Sequence, residues 1–97
     1  MIISFGNPGT KDVFDGAASR EARRCCPESI QPVAKRKLDQ INRAAALVEL
    51  NDPPGNRLER LKGDRAGQYS IRINRQYRIC FVWEGEHAYQ VEISDYH

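Results

Sequence analysis

The chain has 97 residues, 40% of them hydrophobic and 29% charged, with a net charge of only +2. It is long enough for a single domain over residues 1–97 with a modest core, and too apolar for a disordered chain; it lacks the run of about 18 apolar residues that a membrane span needs. Its start, MIISFGNPGTKD, has no basic stretch followed by an apolar one, so no secretory signal is expected and the expected location is cytoplasmic.

Residues 2–5, IISF, form a short apolar run that predicts a strand. PGTKDVFDG follows, with a Pro-Gly turn and a terminating Gly16, and suits a brief helix. AASREARRCC has weak periodicity and predicts a loop or a frayed helical turn. The main helix is expected over residues 30–50, IQPVAKRKLDQINRAAALVEL. Pro32 fits a first helical position, and Ala34, Leu38, Ile41 and Ala45 recur as one apolar stripe. The two prolines of NDPPG are expected to stop it.

The period then changes from 3.6 to 2. RLERL is a short strand candidate and GDRAG a turn. YSIRI puts Tyr69, Ile71 and Ile73 on one face, with Ser70 and Arg72 on the other. YRICFVW aligns Tyr77, Ile79, Phe81 and Trp83, and HAYQVEI aligns Tyr89, Val91 and Ile93. Short turns at NRQ and EGE make an antiparallel meander with one apolar and one polar face. Helices first and sheet afterwards give an α+β class, with the helical stripe covering the apolar face.

Three cysteines form no even set, Cys25 and Cys26 are adjacent, and no C-x-x-C or close His/Cys cluster occurs. The expectation is reduced thiols and no metal site. Charge is uneven along the chain. Between Arg57 and Arg78 seven basic residues stand against two acids, whereas from Ile79 onward there are four acids and no Lys or Arg. A local positive field of this kind suits a phosphate-bearing partner. On the polar face Arg72 and Arg78 lie on neighbouring strands, Glu59 and Lys62 flank the preceding one, and the last strand delivers Asp95, Tyr96 and His97. Such a set can cut RNA: a base takes the ribose 2′-hydroxyl proton, cations stabilise the phosphorane, and an acid protonates the leaving 5′-oxygen.

Residues 58–97, LERLKGDRAGQYSIRINRQYRICFVWEGEHAYQVEISDYH, resemble the C-terminal half of the HigB toxins, a branch of the RelE-like toxins of bacterial toxin–antitoxin systems. LKGDRAGQYSI, YRICF and the closing DYH carry the likeness; IISF, FDG and a basic helix extend it loosely over the N-terminal half. The resemblance implies a RelE-like microbial-RNase fold with helices on a small antiparallel sheet. It also implies an endoribonuclease that enters the ribosomal A site and cleaves translated mRNA there without metal or cofactor.

Residue by residue, the resemblance places Lys62 at the scissile phosphate and Asp95, Tyr96 and His97 in the proton-transfer and positioning group. Arg60, Arg72, Gln76 and Arg78 are expected to bind RNA, Arg78 as a phosphate clamp and Gln76 through an amide suited to an adenine edge. Glu59 stands where relatives often have histidine, and an ion pair with Arg60 or Lys62 is an equal reading of it. The implied partners are a HigA-like helix-turn-helix antitoxin, the ribosome with its mRNA, and operator DNA through the antitoxin complex alone; no membrane partner is implied. Two rival readings stay open: a catalytically weak co-repressor bound to its antitoxin, and a ParE-like gyrase inhibitor.

Overall fold

The computed structural model describes residues 1–95. Three helices, α1 (Pro8–Asp15), α2 (Arg20–Cys25) and α3 (Gln31–Arg43), precede four strands, β1 (Glu59–Arg60), β2 (Tyr69–Arg72), β3 (Tyr77–Glu84) and β4 (His87–Asp95). The strands form one antiparallel sheet in the order β1-β2-β3-β4. This is the expected α+β class. Among the described residues no helix is long and apolar enough to cross a membrane.

The first two helices begin where a side chain satisfies an orphan amide, whereas α3 starts with no side-chain cap and has Pro32 in its first turn. The Asn7 side chain accepts from Thr10 N at the start of α1, and Ser19 Oγ accepts from Ala22 N at the start of α2. The Ser19 cap and the burial of Ala22 make α2 a helix, where local periodicity predicted only a loop or frayed turn. It packs so closely on α1 that a Cβ on Gly9 would lie 2.4 Å from the Glu21 carbonyl oxygen. Gly16 ends α1 in the left-handed region with φ of 76°.

The main helix stops well before the prolines, at Arg43. Three alanines follow, all strong helix formers, yet the Glu49 carboxylate captures the amides of Ala45 (3.1 Å) and Ala46 (2.8 Å). A 3₁₀ turn over Leu47–Asn51 then drives Leu50 into the core. Tertiary burial outweighs propensity here. In consequence Ala34, Leu38 and Ile41 are buried as expected, but the fourth apolar position is Ala44, and Ala45 is exposed.

The helix-covered face of the sheet carries Ile71, Ile73, Ile79, Phe81, Val91 and Ile93, clustered with Leu38, Ile41 and Leu50. Tyr69 stacks on Phe81, with ring centroids 6.3 Å apart. One expected member is missing. Gln90 has φ of 53°, and the β3–β4 register shifts so that Cys80 opposes Glu92 but Val82 opposes Tyr89. This bulge inserts one residue and turns Tyr89 to the polar face, away from Val91 and Ile93.

The two ends of the expected strand set are shorter than predicted. RLERL yields only two strand residues. IISF forms isolated parallel bridges, Ile2 to Ala88 and Phe5 to Val91, along the outer edge of β4. Where that segment leaves the edge, the buried Thr10 hydroxyl takes over and accepts from Ile93 N at 2.9 Å. The outward amide of Ile93 is thereby satisfied, and α1 is tied to the strand that ends in Asp95.

Candidate active site

Directly opposed residues on paired strands share a face. Two rows of polar side chains therefore cross the face opposite the helices. Glu59, Ser70, Cys80 and Glu92 form one row over all four strands, and Arg72, Arg78 and Ser94 form the next. The buried helix residues Val13, Ala34, Leu38 and Ile41 cluster instead with the isoleucines and Phe81 of the other face.

Arg78 is the hub of one side. Its Nη1 donates to Ser70 Oγ at 3.2 Å and its Nη2 reaches Glu59 Oε1 at 3.4 Å, so the guanidinium spans from β3 over β2 to β1. Arg72 stands directly opposite Arg78, and like charges so placed repel. Arg72 relieves this by turning its Nε to the Asn74 carbonyl at 3.0 Å. A bound phosphate would relieve it better, because planar guanidinium forks match its oxygens.

Arg65 covers the other side. It lies in the 3₁₀ turn Gly63–Arg65 between β1 and β2. From there its Nη1 meets Glu92 Oε1 at 2.7 Å and donates to Gln68 Oε1 at 3.0 Å, while Nη2 donates to Ser94 Oγ at 3.1 Å. Ser70 and Cys80, both on the polar face, are fully buried beneath these two arginines. Burial pushes the Cys80 thiol above its ordinary pKa.

Asp95 ends β4 opposite Tyr77, at the rim of the sheet. Gln76 Nε2 donates to Asp95 Oδ2 at 3.1 Å, joining the β2–β3 turn to the strand end. Burial first, and the Asp95 carboxylate second, push the Tyr77 hydroxyl above its usual pKa. Lys62 is exposed at the head of the turn that carries Arg65. Among the described residues no group of three or more His, Cys, Asp or Glu side chains is placed to hold a metal ion.

The structure thus gathers Glu59, Arg72 and Arg78 on one face, with Lys62 and the Gln76–Asp95 pair at its borders. Arg60 is not among them. It opposes Tyr69, whose ring belongs to the helix-side cluster, so it faces away from Glu59. The reason is the period of two, which sends neighbouring residues to opposite sides. The ion-pair partner of Glu59 is Arg78, not Arg60 or Lys62. Gln76 turns its amide to Asp95. Tyr96 and His97 lie outside the described residues.

Four members of the polar face drew no role from sequence: Arg65, Ser70, Glu92 and Ser94. Arg65 and Glu92 are 27 positions apart, on a turn and a distant strand. No local spacing signals such a pair; an arginine in a turn beside a period-two strand is the only hint.

Comparison with known proteins gives relatives in sequence and in fold. A family described as the RelE-like toxin of type II toxin–antitoxin system HigB matches residues 10–97. Toxin HigB-1 of Vibrio cholerae is 47% identical over 83 residues, covering 86% of this chain and 84% of that protein. Endoribonuclease HigB of Proteus vulgaris is 32% identical over 97 residues, the full length of both. A solved YoeB–YefM complex from Staphylococcus aureus superposes with a TM-score of 0.60 over 100% of this chain and 98% of the matched one; at 18% identity the likeness is one of fold.

Proposed function

Because the chain belongs to the HigB family of RelE-like toxins of type II toxin–antitoxin systems, we propose that it is an endoribonuclease that cleaves mRNA on the ribosome and so arrests translation. The observation that carries this reading is the cationic face itself: Arg72 and Arg78 opposed on neighbouring strands, with Arg78 bridging to Glu59. Two arginines directly opposed on paired strands can form a seat for a phosphodiester. The full-length relative named an endoribonuclease supports the same activity.

The chemistry follows from the groups at hand. The 2′-oxygen attacks phosphorus as its proton passes to a base; the bond to the 5′-oxygen breaks as an acid protonates it. The products are a 2′,3′-cyclic phosphate and a 5′-hydroxyl, and no metal is required. Arg78, Arg72 and Lys62 stabilise charge on the non-bridging oxygens, a task worth about 10²–10³-fold per donor in comparable sites. Asp95, Tyr96 and His97 form the proton-transfer group, with His97 the titrating member. Glu59, held by Arg78, is the second carboxylate of the site. Gln76 holds Asp95 in place. The antitoxin is taken to be a HigA-like helix-turn-helix protein, and operator DNA to be bound through that complex.

Purified protein is assayed on programmed ribosomes and on the same RNA alone, beside His97→Ala and Glu59→Gln. The expected result is ribosome-dependent cleavage with 5′-hydroxyl ends, lost in His97→Ala. A chain that leaves growth and mRNA intact on induction, yet strengthens repression by its antitoxin, is a co-repressor instead. Loss of gyrase supercoiling with intact mRNA would assign it to the ParE-like class.

A further inference from the structure

We propose that Arg65 is a positioning residue for this site: its guanidinium clamps the turn carrying Lys62 to the end of β4 carrying Asp95. The inference rests on the nuclease reading above and adds a residue to it. Lys62 sits on a short loop at one edge of the sheet and Asp95 on the strand at the other. Nothing in the β1–β2 backbone ladder fixes one against the other. Arg65 does so through side chains, since it shares the turn with Lys62 (Arg65 N donates to Lys62 O at 3.4 Å) and spends its fork on Glu92 and Ser94 of β4. Gln68, at the foot of β2, completes the set.

The clamp is built from both ends. Glu92 Oε1 takes Arg65, while Oε2 lies against Gly6 beside β4. A Cβ on Gly6 would stand 2.8 Å from that oxygen and 3.0 Å from Glu92 Cβ. Glycine there is the space the carboxylate occupies, so the seat of Glu92 is set by the N-terminal segment. The Arg65–Glu92 pair is also better shielded than the helical pairs Lys11–Asp15 and Lys35–Asp39, with side-chain exposures of 34% and 26%. Exposed pairs one helical turn apart fix little; a three-acceptor guanidinium over a sheet fixes a loop.

The test compares Arg65→Gln, Arg65→Lys, Glu92→Gln, Gly6→Ala and the Arg65→Gln/Glu92→Gln double variant with wild type on programmed ribosomes, with thermal unfolding in parallel. Small misplacements of catalytic groups cost up to about 10²-fold. The expected result for Arg65→Gln is a kcat lower by about 10- to 100-fold with KM little changed. Glu92→Gln and Gly6→Ala, which keep the arginine, fall in the same direction, and the double variant is no worse than Arg65→Gln. Arg65→Lys recovers only part, because an ammonium cannot bridge three acceptors in a plane. An unchanged kcat in Arg65→Gln overturns the proposal. So does a rise in KM confined to the Arg65 variants, which would make Arg65 a direct RNA contact. If wild type cuts no RNA, the nuclease reading fails and the clamp is judged by hydrogen exchange at Ala66 and Gln68: faster exchange in Glu92→Gln and Gly6→Ala supports it, and unchanged rates reject it.

Discussion

On one side of β3, Ile79 and Phe81 are sealed in a cluster with Leu38 and Ile41 of α3. On the other side of the same strand, Arg78 and Cys80 alternate with them, and the cover consists of long cationic side chains from the sheet and one turn. Both faces bury residues completely, by different means. The helix side excludes water with close-packed hydrocarbon, whereas the polar side does so with guanidiniums whose charges are met by Glu59 and Glu92. The difference separates two duties within one sheet. Cutting away hydrocarbon should cost stability, and cutting away the arginine cover should cost activity while the fold stands.

The largest effect is expected on the helix side. Phe81→Ala leaves a cavity between sheet and helices and should lower unfolding free energy in urea by about 3–5 kcal/mol. A loss under about 1 kcal/mol would mean that the site collapses onto itself and that the two faces are less distinct than drawn.

Arg78→Gln probes the opposite duty. Its ion pair with Glu59 is half exposed on the carboxylate side, so stability should change by no more than about 1 kcal/mol. RNA cleavage on ribosomes should fall by about 10²-fold, the typical cost of losing one charge-stabilising donor. Equal losses of stability and activity would merge the two faces into one structural role.

The smallest effect concerns the thiols. Cys25 is partly exposed, and the neighbouring Cys26 thiol and then Thr10 hold it below the ordinary thiol pKa against its own burial. It should be alkylated by iodoacetamide before the other two, with its rate–pH profile shifted to lower pH, because the thiolate is the reactive form. Cys80 should label slowly in wild type and faster in Arg78→Gln, once part of its cover is gone. Equal labelling of Cys80 in both proteins would show that the strands, and not the arginine, bury it.

Much of the helix side was legible in advance. Ile71, Ile79, Phe81, Val91 and Ile93 followed from alternation, and Ala34, Leu38 and Ile41 from the 3.6 period. Errors fell where one residue changed the phase. The bulge at Gln90 reversed Tyr89, and Glu49 cut the long helix short and replaced Ala45 by Ala44. On the polar side, alternation correctly grouped Arg72 with Arg78 but missed Arg65, whose reach depends on where its turn lies over the sheet.

Sequence alone determined the class, the antiparallel order of the last three strands, the two faces of β2 and β3, and the family resemblance, because these rest on local period, turn chemistry and contiguous motifs. Only the tertiary structure decided which charges meet: Glu59 with Arg78, Arg65 with Glu92, and Gln76 with Asp95. Each of those pairs joins side chains 19 or more positions apart. Their meeting depends on strand register and on where each turn lies over the sheet, quantities that no short window of sequence contains.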